Sequence, residues 1–293
     1  MTTPQKGILE PSTSHARFLV FGVHSPEHVS DALRNLNTNI NTDTTLIGLG
    51  SSVVNIMQST VAGLRNFPSF SENGIDIPAT PAALWCWCRG DDRGELFHQS
   101  RKIEDILSAA FELESVVESF QFKKNRDMSG YEDGTENPQN KAAINAAILS
   151  GMGDGLDGSS FVAVQQWVHD FDALNEMSTE EQDNSIGRRI SDNEELDDAP
   201  ESAHVKRTAQ ENFEPEAFLV RRSMPWSDEM NAGLNFIAFG RSFDAFEAQL
   251  KRMIGLDDGV CDALFKFSKP VSGNYFWCPP VKNNKLNLSL LGL

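Results

Sequence analysis

Short apolar runs alternate with helical stripes through the first half of the chain. Arg17–His24 is an apolar run of strand length. Over Pro26–Ile40, Val29, Leu33 and Leu36 recur at helical spacing, with Ser25 as the expected N-cap and Pro26 at the first helical position. Thr44–Gly50 predicts a strand. Val53–Leu64, with Val53, Ile56, Met57, Thr60, Val61 and Leu64 on one stripe, predicts a helix. Ala82–Cys88 predicts a strand whose Leu84, Cys86 and Cys88 face one way and Trp85 and Trp87 the other. Gly94–Phe111 predicts an amphipathic helix and Glu114–Phe122 a closing strand. With Val53–Leu64 taken as an insertion, the order is β-α-β-β-α-β, the ferredoxin-like arrangement.

The second half repeats that outline. Ser159–Val168 predicts a strand, and Ser178-x-x-Glu181 a capping box that opens a short helix. Ala217–Arg222 and Leu234–Gly240 predict strands, and Phe243–Ile254 an amphipathic helix. The fold class expected is therefore α+β: duplicated ferredoxin-like domains with antiparallel sheets, over residues 1–140 and 141–293. Between the halves, Asn125–Gly158 is rich in turn formers.

Charge narrows the functional classes. Lys plus Arg number 25 against 42 Asp plus Glu, a net charge of −17 over 293 residues. Phosphate backbones and anionic lipid would be repelled over most of such a surface, so no nucleic-acid or membrane partner is expected. The N-terminal residues MTTPQKGILEPSTSHARF show no signal-peptide pattern, and no apolar window reaches the ~18 residues of a membrane span. Four cysteines (Cys86, Cys88, Cys261, Cys278) make no disulfide framework, and a reducing, cytoplasmic setting is the simplest expectation. From Glu176 to Glu201, ten acids and two bases leave −8, nearly half of the total, as in a solvated loop or helix face.

Several constellations invite chemistry. Gly151-x-Gly153-x-Gly155 lacks the strand before and helix after it that a dinucleotide loop needs, and reads as a turn. No pair of the six histidines has HxxxH or HExxH spacing on a helix. His204 stands out by its setting, after the acidic run and before Val205-Lys206-Arg207. In Gly130-Tyr131-Glu132-Asp133-Gly134-Thr135-Glu136-Asn137-Pro138, two glycines bracket Asp133 and would let a tight turn expose its carboxylate. In Arg221-Arg222-Ser223-Met224-Pro225, Arg221 and Ser223 share one face of a period-2 strand.

Together these segments resemble the dye-decolorizing peroxidases, in particular the compact bacterial branch of that haem b family. GYEDGTENP is similar to the family's GxxDGTxNP signature, SAHVKR to the segment of its proximal histidine, and LVRRSMPW to that of its distal arginine. GLNFIAFGRS and FKFSKPVSGNYFWCPP are similar to two further stretches, and the likeness runs in order from about Asp127 to about Pro280.

The resemblance implies a hydrogen-peroxide-dependent oxidoreductase with non-covalent haem b in its C-terminal half. It would oxidise dyes and small aromatic or phenolic donors by way of a ferryl state. His204 would be the proximal iron ligand and Asp262 the carboxylate on its other ring nitrogen. Asp133 would be the distal acid/base, with Arg221 favouring its ionisation and Ser223 beside it. Arg188 would contact a haem propionate, and Leu234 and Phe236 would line the distal face. Tyr131 departs from the phenylalanine common in the family. Trp85, Trp87, Trp167, Trp226, Trp277, Tyr131 and Tyr275 are the candidates for relaying electrons. The alternative is a haem carrier, store or deferrochelatase-like haem-modifying protein in the same pocket. A homo-oligomer is expected, and the apolar tail Lys285–Leu293 offers a link to an encapsulin-type shell, packing on its own domain or a neighbouring subunit being the commoner role of such a tail.

Overall fold

In the computed structural model, residues 2–123 and 125–293 are described. Eight strands carry the architecture: β1 (His15–Val23), β2 (Thr45–Leu49), β3 (Leu84–Gly90), β4 (Phe111–Phe120), β5 (Ser160–His169), β6 (Met224–Asp228), β7 (Asn231–Gly240) and β8 (Asn274–Cys278). They pair antiparallel in the order β5-β8-β2-β3-β1-β4-β6-β7, and β7 pairs back onto β5, so one large sheet closes into a barrel. Two separate sheets were expected from the periodicity. The strands of each half do pair among themselves, and two narrow seams then join them: Trp277 of β8 registers on Leu49 of β2, and Ser119 of β4 on Trp226 of β6. Closure removes the edges that two open sheets would expose.

The alternation in β3 sorts residues as its pattern predicts. Trp85 and Trp87 enter one core cluster with Phe18, Val162, Val164, Ile237, Phe239 and Phe276, drawn from strands all round the barrel. Leu84, Cys86 and Cys88 enter another, with residues of the helices α1 (Val29–Asn39), α2 (Arg93–Leu107) and α3 (Asp244–Met253) that cover the outside. All four cysteines are unpaired, and burial pushes the Cys88 thiol up to about 12.

Local departures have local causes. Pro26–His28 is a 3-10 turn before α1, and the Ser25 hydroxyl bonds to His24 Nδ1 instead of capping. The helix expected over Val53–Leu64 spans only Ser51–Ile56, since Gln58 adopts φ 52° and ends it. The strand expected over Ala217–Arg222 shrinks to Val220–Arg221, and β6 follows where none was expected.

The tail folds back on the chain. Leu286, Leu288 and Leu291 are buried in the outer core, and Asn37 on α1 exchanges two hydrogen bonds with the backbone of Leu286. Leu288→Ala should therefore lower unfolding stability by about 2–4 kcal/mol, read as a shift of the denaturant midpoint at unchanged slope.

Candidate active site

A cavity of about 880 Å³ between atoms, mouth included, lies on the outer side of the barrel wall. Gln165, Trp167 and His169 of β5 and Leu234 and Phe236 of β7 point into it, on the strand faces opposite Val164 and Ile237 of the other cluster. Phe246, Leu250 and Met253 of α3 form an apolar wall. Asp127, Tyr131 and Asp133 come from the turn-rich segment, and His204 and Arg221 complete the polar set. The sequence therefore brings His204, Asp133, Arg221, Leu234 and Phe236 to one space.

His204 opens the short helix His204–Arg207. Its position depends on Gly187, which ends the helix Thr179–Ile186 at φ 92°. A Cβ there would lie 2.3 Å from Val205 Cγ2 and 3.1 Å from Ala203 Cβ, so only glycine lets the two elements meet. His204 Nδ1 lies 2.7 Å from Asp262 Oδ2, and the Asp262 side chain is fully buried. A carboxylate only accepts, so Nδ1 donates and Nε2 keeps a free lone pair. Asp262 is held in turn by Leu264 N–H, 2.8 Å from Oδ1. A fixed tautomer of raised basicity is what a metal-binding imidazole needs.

Asp133 and Arg221 are linked through Asn137, a residue that sequence reasoning passed over. Arg221 N–H donates to Asn137 Oδ1 at 2.8 Å, and Asn137 Nδ2 donates to Arg221 O at 2.9 Å. Gly134, at φ 74°, makes room for that amide, since a Cβ would come within 3.0 Å of Asn137 Nδ2. The turn that carries the carboxylate is thus clamped to the strand that carries the guanidinium. The Asn137-Pro138 pair at the end of the turn was the available signal.

Burial pushes the Asp133 carboxyl above the ordinary carboxylate range; Arg221 pulls it down and the charge of Asp127 pushes it up. Arg221 acts in the expected direction, but burial wins. An acid whose pKa is raised on folding gives up stability as pH rises through that pKa. Asp133→Asn should accordingly raise the thermal midpoint at neutral pH, the gain vanishing below about pH 4, where the carboxyl is protonated in both folded and unfolded chains.

Tyr131 donates its hydroxyl to Asp183 Oδ1 at 2.5 Å, which, with burial, raises its pKa. Arg188 lies in a cleft that adjoins the cavity and shares Asp133, His204 and Arg221 with it. Its guanidinium there meets Glu136 at 2.8 Å and Glu195 at 2.9 Å. Ser223 is buried and does not line the cavity beside Arg221, and its Oγ accepts from Ile237 N–H at 3.3 Å. The strand that carries Arg221 stops there, so period-2 alternation does not carry to Ser223. Arg222 also points away, donating to Leu9 O at 2.8 Å.

Two polar atoms of the cavity wall, Arg221 Nε and Gln165 Nε2, are buried without a partner among the described residues. Such donors signal a ligand to be held. Among the described residues, no group of three or more His, Cys, Asp or Glu could hold a bare metal ion. A metal on His204 would need its remaining ligands from a non-protein group. The apolar wall, the free Nε2 and the two orphan donors together fit a planar, largely apolar macrocycle that carries its own metal.

Residues 124–283 match the family model of the C-terminal part of Dyp-type peroxidases. The chain is 31% identical over 226 residues to a dye-decolorizing peroxidase of Mycolicibacterium paratuberculosis, and 32% over 210 residues to one of Mycobacterium tuberculosis. Those matches cover 75% and 70% of this chain but 64% and 63% of the relatives, just under two thirds of their length. Among solved structures, a dye-decolorizing protein of Vibrio cholerae superposes with a TM-score of 0.85 at 27% identity, covering 98% of each chain. A DypB variant of Rhodococcus jostii, solved in complex with heme, gives 0.85 at 27% identity, covering 94% of this chain and 96% of that one.

Proposed function

Because the chain belongs to the dye-decolorizing peroxidase family, we propose that it is a haem b peroxidase that reduces hydrogen peroxide and oxidises dyes and small aromatic donors. The observation that carries this reading is the convergence of a carboxylate-oriented imidazole, His204, with Asp133 and Arg221 in one largely apolar cavity. A carrier has no need of the last two together.

Haem iron, when bound, supplies the peroxide-binding position and the redox chemistry. The residues supply the rest. His204 would hold the iron through Nε2, with Asp262 keeping the ring in the required tautomer. Leu234, Phe236, Phe246, Leu250 and Met253 would exclude water around the macrocycle. Asp133, when ionised, would take a proton from the nearer peroxide oxygen and return it to the leaving one. Arg221 would stabilise charge developing on that leaving oxygen. Arg188 would have to exchange at least one of its two carboxylate partners to reach a propionate, and Glu136 and Glu195 then limit what it adds to binding.

We also read residues 1–140 and 141–293 as two ferredoxin-like units. Each contributes four barrel strands that pair, by position in the unit, in the same order 2-3-1-4. Haem then lies in the second unit, capped by the 127–138 turn of the first. A reducing compartment suits the four unpaired cysteines.

The test is an absorption spectrum during titration with haem, then after peroxide. The expected result is stoichiometric binding with a histidine-ligated ferric spectrum that peroxide converts. Haem that binds, transfers readily to apo-myoglobin and shows no peroxide-dependent change would overturn the reading.

A further inference from the structure

A buried group in the same cavity takes no part in the chemistry above. His169 ends β5, and its side chain is only 3% exposed. Its Nε2 lies 2.9 Å from Asp127 Oδ2, and its Nδ1 lies 2.8 Å from Ser268 Oγ. Because Asp127 accepts, Nε2 donates, and Nδ1 then accepts the Ser268 hydroxyl. Ser268 registers directly opposite His169 on the short strand Ser268–Pro270.

These residues stand in a wall between two spaces. On the inner side, Asp127, His169 and Ser268 line the cavity that holds Asp133. On the outer side, His169 and Ser268 also line a surface groove with Asp170, Asp172, Lys266 and Lys269. Phe171 and Phe267 stand edge-on to the imidazole with ring centroids 6.0 and 6.2 Å away.

We propose that Ser268, His169 and Asp127 form a proton path from the outer groove to the cavity, a role that rests on the peroxidase reading above. Converting one peroxide to two waters consumes two electrons and two protons. The electrons come from the reducing donor, and a bulky donor oxidised at the surface leaves its protons outside. Asp133 shuttling one proton between peroxide oxygens imports none, so the cavity must be supplied. Imidazole suits the task because a proton can arrive at one ring nitrogen while another leaves from the second. Ser268 passes its hydroxyl proton to Nδ1 as Nε2–H passes to Asp127, and water in the groove restores the hydroxyl. Asp127 then delivers to the cavity, where Asp133, Glu132, Tyr131, His204 and Arg221 are the other charged or titratable groups of the wall. Burial would raise the Asp127 pKa, but the hydrogen bonds from His169 and Ser129 hold it below the ordinary range. Asp133, in the same cavity wall, is shifted the other way.

The test uses the haem-loaded protein, ferrocyanide as a donor that carries no proton, and stopped-flow spectra. His169→Gln keeps amide atoms for both neighbours but has no second exchangeable ring nitrogen. The spectral step with peroxide is expected to stay within about twofold, while the return step driven by ferrocyanide slows about tenfold or more. That slowing should carry an enlarged solvent isotope effect and be relieved by added imidazole. As a readout apart from turnover, Ser268→Ala should slow exchange of the His169 ring N–H with water, followed by NMR of ¹⁵N-histidine-labelled protein. Equal slowing of both steps without imidazole rescue, or ring exchange unchanged in Ser268→Ala, would make the cluster a structural tie and overturn the path. Failure of the peroxidase reading looks different: no peroxide-driven spectral step in the unaltered protein.

Discussion

Asp133→Asn is expected to slow the first spectral step with peroxide by about 10²–10⁴-fold, with haem binding nearly unchanged. The asparagine keeps size and polarity but has no site for the transferred proton. In the unaltered protein, the same step should fall away on the acid side with a midpoint above the ~4 of an ordinary aspartate, because only the ionised form accepts. The direction follows from burial outweighing Arg221. This acid limit meets an opposite trend. The net charge of −17 handicaps anionic dyes at neutral pH, and acid relieves the repulsion. Anionic dyes should therefore show a narrow optimum between the two limits, and cationic donors a broader one extending to higher pH. An acid midpoint at or below that of free aspartate, or a peroxide step left intact in Asp133→Asn, would remove Asp133 from the mechanism.

His204→Ala should abolish histidine ligation of haem and the peroxide reaction with it, measured by absorption and by retention of haem on gel filtration. Asp262→Asn is the finer probe. The amide leaves the imidazole in place but removes the charge that fixes its tautomer, at an expected cost of about 10–100-fold in affinity or rate. A His204→Ala protein with an unchanged ferric spectrum would assign the ligand elsewhere.

Local structure was legible where short-range physics decides it. The β3 pattern placed its tryptophans and cysteines in two different clusters because side-chain direction alternates with every residue. The capping box at Ser178 and Glu181 is present with both of its bonds, since it needs only four consecutive residues. Barrel closure was not legible: it rests on the β7–β5 pairing and two seams between residues far apart in the chain, which leave no mark on periodicity. At the site, the motifs brought His204, Asp133 and Arg221 to one cavity. The Asn137 clamp and the burial of Ser223 both turn on where a short strand stops, a matter of tertiary pairing that residue spacing does not encode.

The bonds that shape the cavity span long stretches of chain: 42 residues between Asp127 and His169, 58 between His204 and Asp262, and 84 between Asn137 and Arg221. Closing such loops is slow and comes late in folding, after local helices and hairpins have formed. During synthesis the pocket has no existence until the chain beyond Asp262 and Ser268 has emerged and docked. Cofactor capture is thus a maturation event, governed by supply at that moment, and the empty protein must persist long enough to meet it. The closed, continuously hydrogen-bonded barrel is what gives it that lifetime.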